Sequence, residues 1–383
     1  MIWEWQFKKY MGDFNMSKII MVSTKDYNFY NFRSNFILKL MECGNEVILV
    51  CPYGKKIDYF TERGCRFIDI SIDRRGTNPF NDAKLIIGYL KILKKEKPDL
   101  VLTYTTKCSV YAGIACRLLN IKYIVNNAGL IAHDNPKSVL SKILNLLYKV
   151  GFKGASCMMY QNSQERNYMN ALLKNKVHYR DLPGSGVDLN VFTLQPYPNK
   201  ESPIVFNYVA RIVELKGIRE FLECAKRIKA KYTNTEFVLY GEYDNDEYRE
   251  IVSDLESRGI VRYGGVLLDM KPAIIAANAV IHASYYEGMT NVVLEHAAVG
   301  RPSIGSDIPG VADGIDYGTT GYTFEVKNVD SLVNVVEKFI NLPYEKKVGM
   351  GLAAREKMEQ EFDRNIVTET YMEEISRILR KCD

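Results

Sequence analysis

The 383-residue chain is 47% hydrophobic and 25% charged. That is an ordinary globular composition in a length beyond one compact core of about 100–200 residues, so two domains are expected. The net charge of +5 hides a division: residues 1–195 hold 28 Lys+Arg against 16 Asp+Glu, and residues 196–383 hold 23 against 30. A basic half and an acidic half are expected to meet different partners. No run approaches the ~18–20 apolar residues that cross a bilayer as a helix, and no secretory pattern opens the chain. The eight cysteines form no C-x-x-C and no zinc-like spacing with histidine, which excludes a disulfide scaffold or zinc module and leaves reduced, mostly buried thiols.

In chain order, residues 1–15 carry both tryptophans, Trp3 and Trp5, and precede Met16; they read as an N-terminal extension. A strand over 18–23, a helix through Phe32, Phe36, Ile37, Leu40 and Met41 closed by Gly44, and a strand over 46–51 make a βαβ opening. The alternation continues with strands at 66–70, 99–104 and 122–126 and helices at 81–95 and 109–119. Strands alternating with helices predict parallel sheets covered on both faces, an α/β class. Residues 137–153 form a basic amphipathic helix with Lys137, Lys142, Lys149 and Lys153 beside Val139, Leu140, Ile143, Leu144, Leu147 and Val150. That pattern suits either an anionic membrane surface or ordinary packing in the domain. Residues 183–203, rich in Pro, Gly and Asn, read as a linker. A second α/β series follows, with strands at 204–210, 236–240, 261–263, 279–283, 302–305 and 321–325. Its helices fall at 217–232, 246–257, 269–277 and 290–299, and three more at 329–341, 344–361 and 364–381 end the chain.

Ligands of doubly wound sheets sit at the carboxyl ends of the strands, so the loops there are the candidate sites. After the strand over 204–210, Arg211 leaves the strand end and Lys216-Gly217 opens a helix, a pair able to clamp a pyrophosphate. After the strand over 279–283 come Glu287-Gly288-Met289-Thr290-Asn291 and then Glu295. This sets one carboxylate beside a sugar, helix N–H groups under a phosphate with Thr290 as N-cap, and a second carboxylate facing ribose hydroxyls. Gly264-Gly265, after a third strand, lets backbone meet a flat base.

These motifs resemble glycosyltransferase family 4 of the GT-B enzymes. The resemblance rests on Arg211 with Lys216-Gly217, on Glu287 and Glu295 separated by seven residues, on Gly300-Arg301-Pro302, Pro309-Gly310 and Glu361-Phe362-Asp363. Within the family the chain is similar to bacterial enzymes that build capsule, O-antigen or related glycans on a polyprenyl-diphosphate carrier. That similarity is carried by Tyr104-Thr105-Thr106-Lys107, Asn126-Asn127-Ala128-Gly129-Leu130, Tyr160-Gln161-Asn162 and Gly184-Ser185-Gly186-Val187-Asp188.

The resemblance implies two Rossmann-like domains facing a cleft. The acceptor domain would span 16–195 and the nucleotide-sugar domain 196–362, with a helix over 363–383 returning to the first. It implies a retaining transferase in which Arg211 and Lys216 stabilise the leaving diphosphate and Glu287 contacts the donor sugar. Gly288, Met289, Thr290 and Asn291 would offer backbone to sugar and phosphate, Gly264 and Gly265 would meet the base, and Glu295 would hold the ribose. Positive side chains take the part a metal plays elsewhere, so no metal or cofactor is expected. The chain departs from the family's pattern in lacking a glycine-rich loop after its first strand, which leaves Arg33 or Lys107 as the acceptor-side cation near Gly129. His133 falls in the region where relatives place a histidine.

A nicotinamide dehydrogenase would need G-x-G-x-x-G after a first strand, and neither half supplies it. Asp244-Asn245-Asp246 imitates a metal-binding D-x-D but sits before a helix, where Asp is a common cap. The basic half lacks aromatics arrayed with Lys/Arg on one face, so nucleic acid is not expected as a partner. The expectation is a hexosyl- or N-acetylhexosaminyltransferase taking UDP-sugar to a lipid-linked saccharide, cytoplasmic and peripheral at an anionic membrane met by the basic half. N-acetylgalactosamine is the first sugar to try. The alternatives are a non-catalytic glycan-binding or scaffold subunit, a GDP-sugar donor, or a soluble acceptor.

Overall fold

The computed structural model describes residues 16–73, 78–127 and 138–380, which form two compact units. Unit 1 ends at Ser185 and takes in the residues from Val367 on; unit 2 is Gly186–Ile366. The division falls ten residues before the expected one near 195, and the chain returns to unit 1 inside the last helix rather than at its start.

Unit 1 runs β1 (Lys18–Val22), α1 (Asp26–Glu42), β2 (Glu46–Cys51), α2 (Asp58–Thr61), β3 (Arg66–Asp69), α3 (Pro79–Glu96), β4 (Leu100–Tyr104), α4 (Thr106–Leu119), β5 (Tyr123–Asn127), α5 (Val139–Phe152), β6 (Cys157–Tyr160), α6 (Ser163–Leu173) and β7 (Tyr179–Asp181). Its seven strands are parallel in the order β3-β2-β1-β4-β5-β6-β7. Near-continuous apolar strands such as Ile19–Val22 and Val47–Cys51 are buried on both faces, as helices on either side of a parallel sheet require. Some of its helix starts show side-chain caps. Asn78 accepts from the Phe80 N–H with Pro79 beside it, and Asn162 accepts from the Glu165 N–H at 2.8 Å.

The segment β6-α6-β7 is not legible in the sequence, because Cys157-Met158-Met159-Tyr160 lacks β-branched residues and β7 is a three-residue edge strand.

Unit 2 runs β8 (Ile204–Val209), α7 (Ile218–Lys229), β9 (Thr235–Tyr240), α8 (Arg249–Ser257), β10 (Arg262–Tyr263), α9 (Lys271–Ala276), β11 (Ala279–His282), α10 (Asn291–Ala298), β12 (Ser303–Ser306), β13 (Gly321–Phe324), α11 (Val329–Ile340) and α12 (Tyr344–Glu361); α13 (Arg364–Leu379) begins in it. Its six strands are parallel in the order β10-β9-β8-β11-β12-β13. Helix α7 buries Ile218, Phe221, Leu222, Ala225 and Ile228, one helical face at i, i+3, i+4, i+7 spacing. Each of its large apolar side chains contributes about 1.5–3 kcal/mol on leaving water.

The expected linker over 183–203 is largely structural. The Val187 N–H donates to Phe362 O and Arg364 N–H to Val187 O, while Val187, Leu189 and Phe192 pack on Leu294, Ala298 and Met358. Gly186 has φ +65°, and a Cβ there would lie 2.6 Å from Arg364 Cα. Arg301 is fully buried and donates to the carbonyls of Gln195, Pro196, Ile275, Val299 and Gly300, tying this segment to the start of β12. Seven described cysteines are free thiols, six of them buried.

Helix α5 turns Ser141, Tyr148, Gly151 and Phe152 inward. It leaves Val139, Leu140, Ile143, Leu146 and Val150 39–73% exposed, beside exposed Lys142, Lys149 and Lys153. Leu144 and Leu147 are half-buried, so most of the apolar stripe faces solvent rather than the domain.

Candidate active site

In unit 2 the strand order reverses between β8 and β11, which pair directly (Ala279 with Phe206, Val280 with Asn207). The crevice outside the carboxyl ends of such a strand pair is where doubly wound sheets bind ligands. The loops leaving β8 and β11 are the two that carry Lys216 and Glu287.

The β8 loop is held from several sides. A 3₁₀ turn over Glu214–Lys216 ends at Gly217, whose φ of +69° and contact with the residue that follows β11 exclude a side chain: a Cβ there would lie 2.1 Å from Ala283 O. The buried Tyr208 hydroxyl donates to Lys216 O at 3.1 Å, and the Tyr285 N–H donates to Leu215 O at 3.0 Å. Glu214 accepts from the Tyr248 and Tyr285 hydroxyls, and Tyr285 also hydrogen-bonds the buried Glu220 at 2.9 Å. A flexible lysine is thus mounted on a rigid base, which lowers the entropy lost when it meets an anion.

Lys216 Nζ lies 2.6 Å from Glu287 Oε1, and His282 Nε2 lies 3.0 Å from the same oxygen. Burial alone would push the Glu287 carboxyl up, but the His282 hydrogen bond and the Lys216 charge outweigh it and hold the group down at about 2. Glu287 is therefore a carboxylate throughout the physiological range. Arg211 is half exposed and pairs with Asp244 at 2.8 Å. The D-x-D look-alike is accounted for by this contact and by Asp246, which pairs with Arg249 at 2.9 Å; helix α8 starts only at Arg249, so neither aspartate is its cap.

Glu295 lies on α10, and burial raises its carboxyl to about 7 against the opposing charge of Arg364. Thr290 occupies the N-cap position of α10 but its side chain makes no capping bond, and its N–H is committed to Gly310 O at 3.0 Å. The Thr290 amide is thus withdrawn from the expected set, while Met289 and Asn291 flank it at the helix start. Gly310 must be glycine there: its φ is +81° and a Cβ would lie 2.3 Å from Gly288 O. Gly264 faces the Tyr240 ring, which a Cβ would meet at 2.2 Å, and donates its N–H to Leu239 O; Gly265 has φ +76° with open space where a Cβ would stand.

The acceptor-side residues fare differently. Arg33 is 3% exposed, with its guanidinium stacked on Tyr104 (5.2 Å) and Tyr371 (5.6 Å) and one N–H given to Phe32 O. It is a core residue joining α1, β4 and α13, not a surface cation awaiting a diphosphate. Lys107 pairs with Asp82 at 2.8 Å and donates to Asp73 O at 2.7 Å. Gly129 and His133 lie outside the described residues.

Among the described residues one group has metal-ligand geometry, Cys157, His178 and Glu374 in unit 1. Glu374 already accepts from Arg180 at 3.2 Å and Arg377 at 2.7 Å, so a cation there would face two guanidinium groups.

His282 carries no motif in the sequence. A single histidine ending a buried strand looks like any core residue until Glu287, five positions on, folds back to it. His296 is the contrasting case. Its Nδ1 lies 2.7 Å from Val292 O and its Nε2 is 3.4 Å from the Asn207 amide, and burial lowers it to about 4, which makes it a neutral core residue.

The family described as "Glycosyl transferases group 1" matches residues 203–341, and that described as "Glycosyl transferase 4-like" matches residues 18–162. The N,N'-diacetylbacillosaminyl-diphospho-undecaprenol alpha-1,3-N-acetylgalactosaminyltransferase of Campylobacter jejuni is 26% identical, over 95% of this chain and 99% of its own. The UDP-Gal:alpha-D-GlcNAc-diphosphoundecaprenol alpha-1,3-galactosyltransferase of Escherichia coli is 25% identical, over 76% of this chain and 79% of its own. Among solved structures, a glycosyltransferase from Rickettsia africae superposes with a TM-score of 0.78 at 17% identity, covering 96% of this chain and 100% of that one. An Anabaena protein in complex with UDP gives 0.72 at 15%, covering 94% and 100%. With both halves matched in order and both sheets in place, the chain is a glycosyltransferase of the GT-B fold, its two halves matching the group 1 and the 4-like glycosyltransferase families.

Proposed function

We propose that this enzyme transfers a hexose or N-acetylhexosamine, with N-acetylgalactosamine the first sugar to test, from UDP to a saccharide carried on a polyprenyl diphosphate, with retention of configuration, in the assembly of a bacterial surface glycan. The observation that carries the reading is the Lys216–Glu287 contact beside the β8/β11 reversal, with Arg211 on the same loop. As the bond from the anomeric carbon to the β-phosphate oxygen breaks, its electron pair leaves with UDP and negative charge grows on the diphosphate. Lys216 and Arg211, together with the first-turn N–H groups of α10, stand where that charge develops, so they stabilise the transition state more than the ground state. The acceptor hydroxyl bonds to the anomeric carbon, and its proton departs with the diphosphate. Glu287 contacts the sugar, and Glu295 accepts from ribose hydroxyls. Two side-chain cations supply the neutralisation that a metal gives in other transferases, so the reading calls for none.

The relatives named for undecaprenyl-diphosphate acceptors support a lipid-linked acceptor here. The exposed apolar and lysine face of α5 supports a peripheral place on an anionic membrane, at its cytoplasmic side. The test mixes the purified protein with UDP- and GDP-sugars, with and without a polyprenyl-diphosphate saccharide, and follows nucleotide release. UDP release that requires the lipid-linked acceptor and continues in EDTA is expected. A binding-only subunit would be stabilised by UDP-sugar without releasing UDP.

A further inference from the structure

Glu287 is placed by a partner that the proposed function does not use. His282 is the last residue of β11 and is 3% exposed. Its Nε2 lies 3.0 Å from Glu287 Oε1, the oxygen that also takes Lys216 Nζ at 2.6 Å. An ionised carboxylate can only accept, so this contact fixes the proton on Nε2 and makes His282 the donor. The two donors approach one oxygen from different elements. His282 belongs to the sheet, whose position is set by pairing of β11 with β8 and β12, including His282 with Gly305; Lys216 belongs to a loop. When Lys216 turns toward a diphosphate, the sheet-borne contact still holds the carboxylate.

We infer that His282 is the positioning residue of the donor-sugar contact: its Nε2–H ties the Glu287 carboxylate to the end of β11 so that the carboxylate meets the sugar in one orientation while Lys216 serves the leaving group. The inference rests on the proposed nucleotide-sugar reading for what Glu287 touches, but the His282–Glu287 tie itself does not. His296, though close by on α10, has no part in it, since its two nitrogens are taken up with Val292 O and Asn207.

The test compares His282→Gln, whose amide nitrogen falls close to the imidazole Nε2, with His282→Leu, which fills similar volume and donates nothing. The leucine variant is expected to lose at least tenfold in kcat and to bind UDP, which carries no sugar, within twofold of wild type. The glutamine variant is expected to recover kcat to within threefold. A purely structural role would move UDP affinity and the melting temperature together and would not be rescued by glutamine. Wild-type kcat in the leucine variant, or equal failure of both variants, overturns the inference.

A second measurement needs no substrate. The chain has four histidines, so the His282 imidazole resonance can be assigned by substitution and followed in the full protein. Glu287→Gln should shift it and Glu295→Gln should not; an unmoved resonance in Glu287→Gln overturns the tie. If the wild type releases no UDP from any donor, the proposed function fails while the resonance still decides the His282 contact.

Discussion

Lys216 Nζ and Glu287 Oε1 meet at 2.6 Å across the loops that leave β8 and β11, and both side chains are about one-fifth exposed. The pair is wet enough to open and dry enough to matter. On the proposed function, Lys216→Ala removes a cation from the place where diphosphate charge grows, and kcat is expected to fall by about 10²–10³. Stability should change by about 1 kcal/mol or less, because the pair is partly solvated and Glu287 keeps His282. Steady-state rates alongside thermal melts check this. A large loss of melting temperature, or near-normal kcat, would remove Lys216 from the leaving-group role.

Two glycines with similar dihedral angles separate backbone strain from collision. Gly217 has φ +69° and a Cβ would lie 2.1 Å from Ala283 O; Gly265 has φ +76° with nothing within 4 Å. Gly265→Ala should cost only the left-handed conformation, about 1 kcal/mol. Gly217→Ala must also push the Lys216 turn away from β11, so UDP affinity and kcat should collapse with a loss of about 2–3 kcal/mol or more. Urea melts and UDP titrations of both variants distinguish the two costs; equal behaviour would contradict the packing at Ala283.

How much of this was legible beforehand depended on the distance between partners in sequence. The strand and helix alternation, the Arg211-to-Gly217 loop and the Glu287-to-Glu295 helix are local patterns, and the chain displays them. The burial of Arg33 is not visible in the sequence because the rings that cover it, Tyr104 and Tyr371, come from β4 and α13, hundreds of positions apart in the second case. The ion pair of Lys107 is hidden for the same reason: its carboxylate, Asp82, sits on a different helix. Thr290 looked like a donor of its amide, yet a glycine twenty residues on takes that hydrogen bond. His282 carries no sequence signal at all, since only the return of Glu287 distinguishes it from a core histidine. The stretch after Pro183 read as a linker by composition, but three apolar residues within it had a surface to cover.

The two site carboxylates respond oppositely to pH. Glu295 is raised to about 7 by burial, so it is half protonated near neutrality, and on the proposed function the ribose hydroxyls it accepts from favour its ionised form. UDP affinity is therefore expected to rise about tenfold from pH 6 to 8 and to level off above, and Glu295→Gln should flatten that slope. For folding, the raised group favours the native state at low pH, and that contribution is lost as pH rises from about 4.5 to 7. Glu287 is held near 2, so its contribution is present above about 4.5 and is lost as pH falls toward 2. Calorimetric titration with UDP across this range checks the first claim. A flat profile in the wild type would show that Glu295 does not meet the ribose.

Helix α5 offers the remaining test. Val139, Leu140, Ile143 and Leu146 are each more than half exposed, and Lys142, Lys149 and Lys153 share the solvent side of the helix. An apolar stripe of this kind costs free energy in water and gains it by entering the headgroup region, while each lysine near an anionic surface adds about 1 kcal/mol. Flotation with vesicles containing phosphatidylglycerol should recover the protein at low salt. Recovery should weaken as ionic strength rises and the Debye length shortens from about 10 Å at 0.1 M to about 3 Å at 1 M. Lys142→Glu with Lys149→Glu should reduce vesicle binding by about 30-fold or more, on the basis of about 1 kcal/mol for each charge removed. Leu146→Glu should reduce it at every salt concentration, because it removes the apolar part of the interaction rather than the screened part. Turnover of a water-soluble acceptor analogue should be unchanged in these variants, since the substitutions lie on the solvent-exposed face of α5 and touch neither Lys216 nor Glu287. Failure of the wild type to float at any salt concentration would show that the exposed face of α5 serves something other than a membrane.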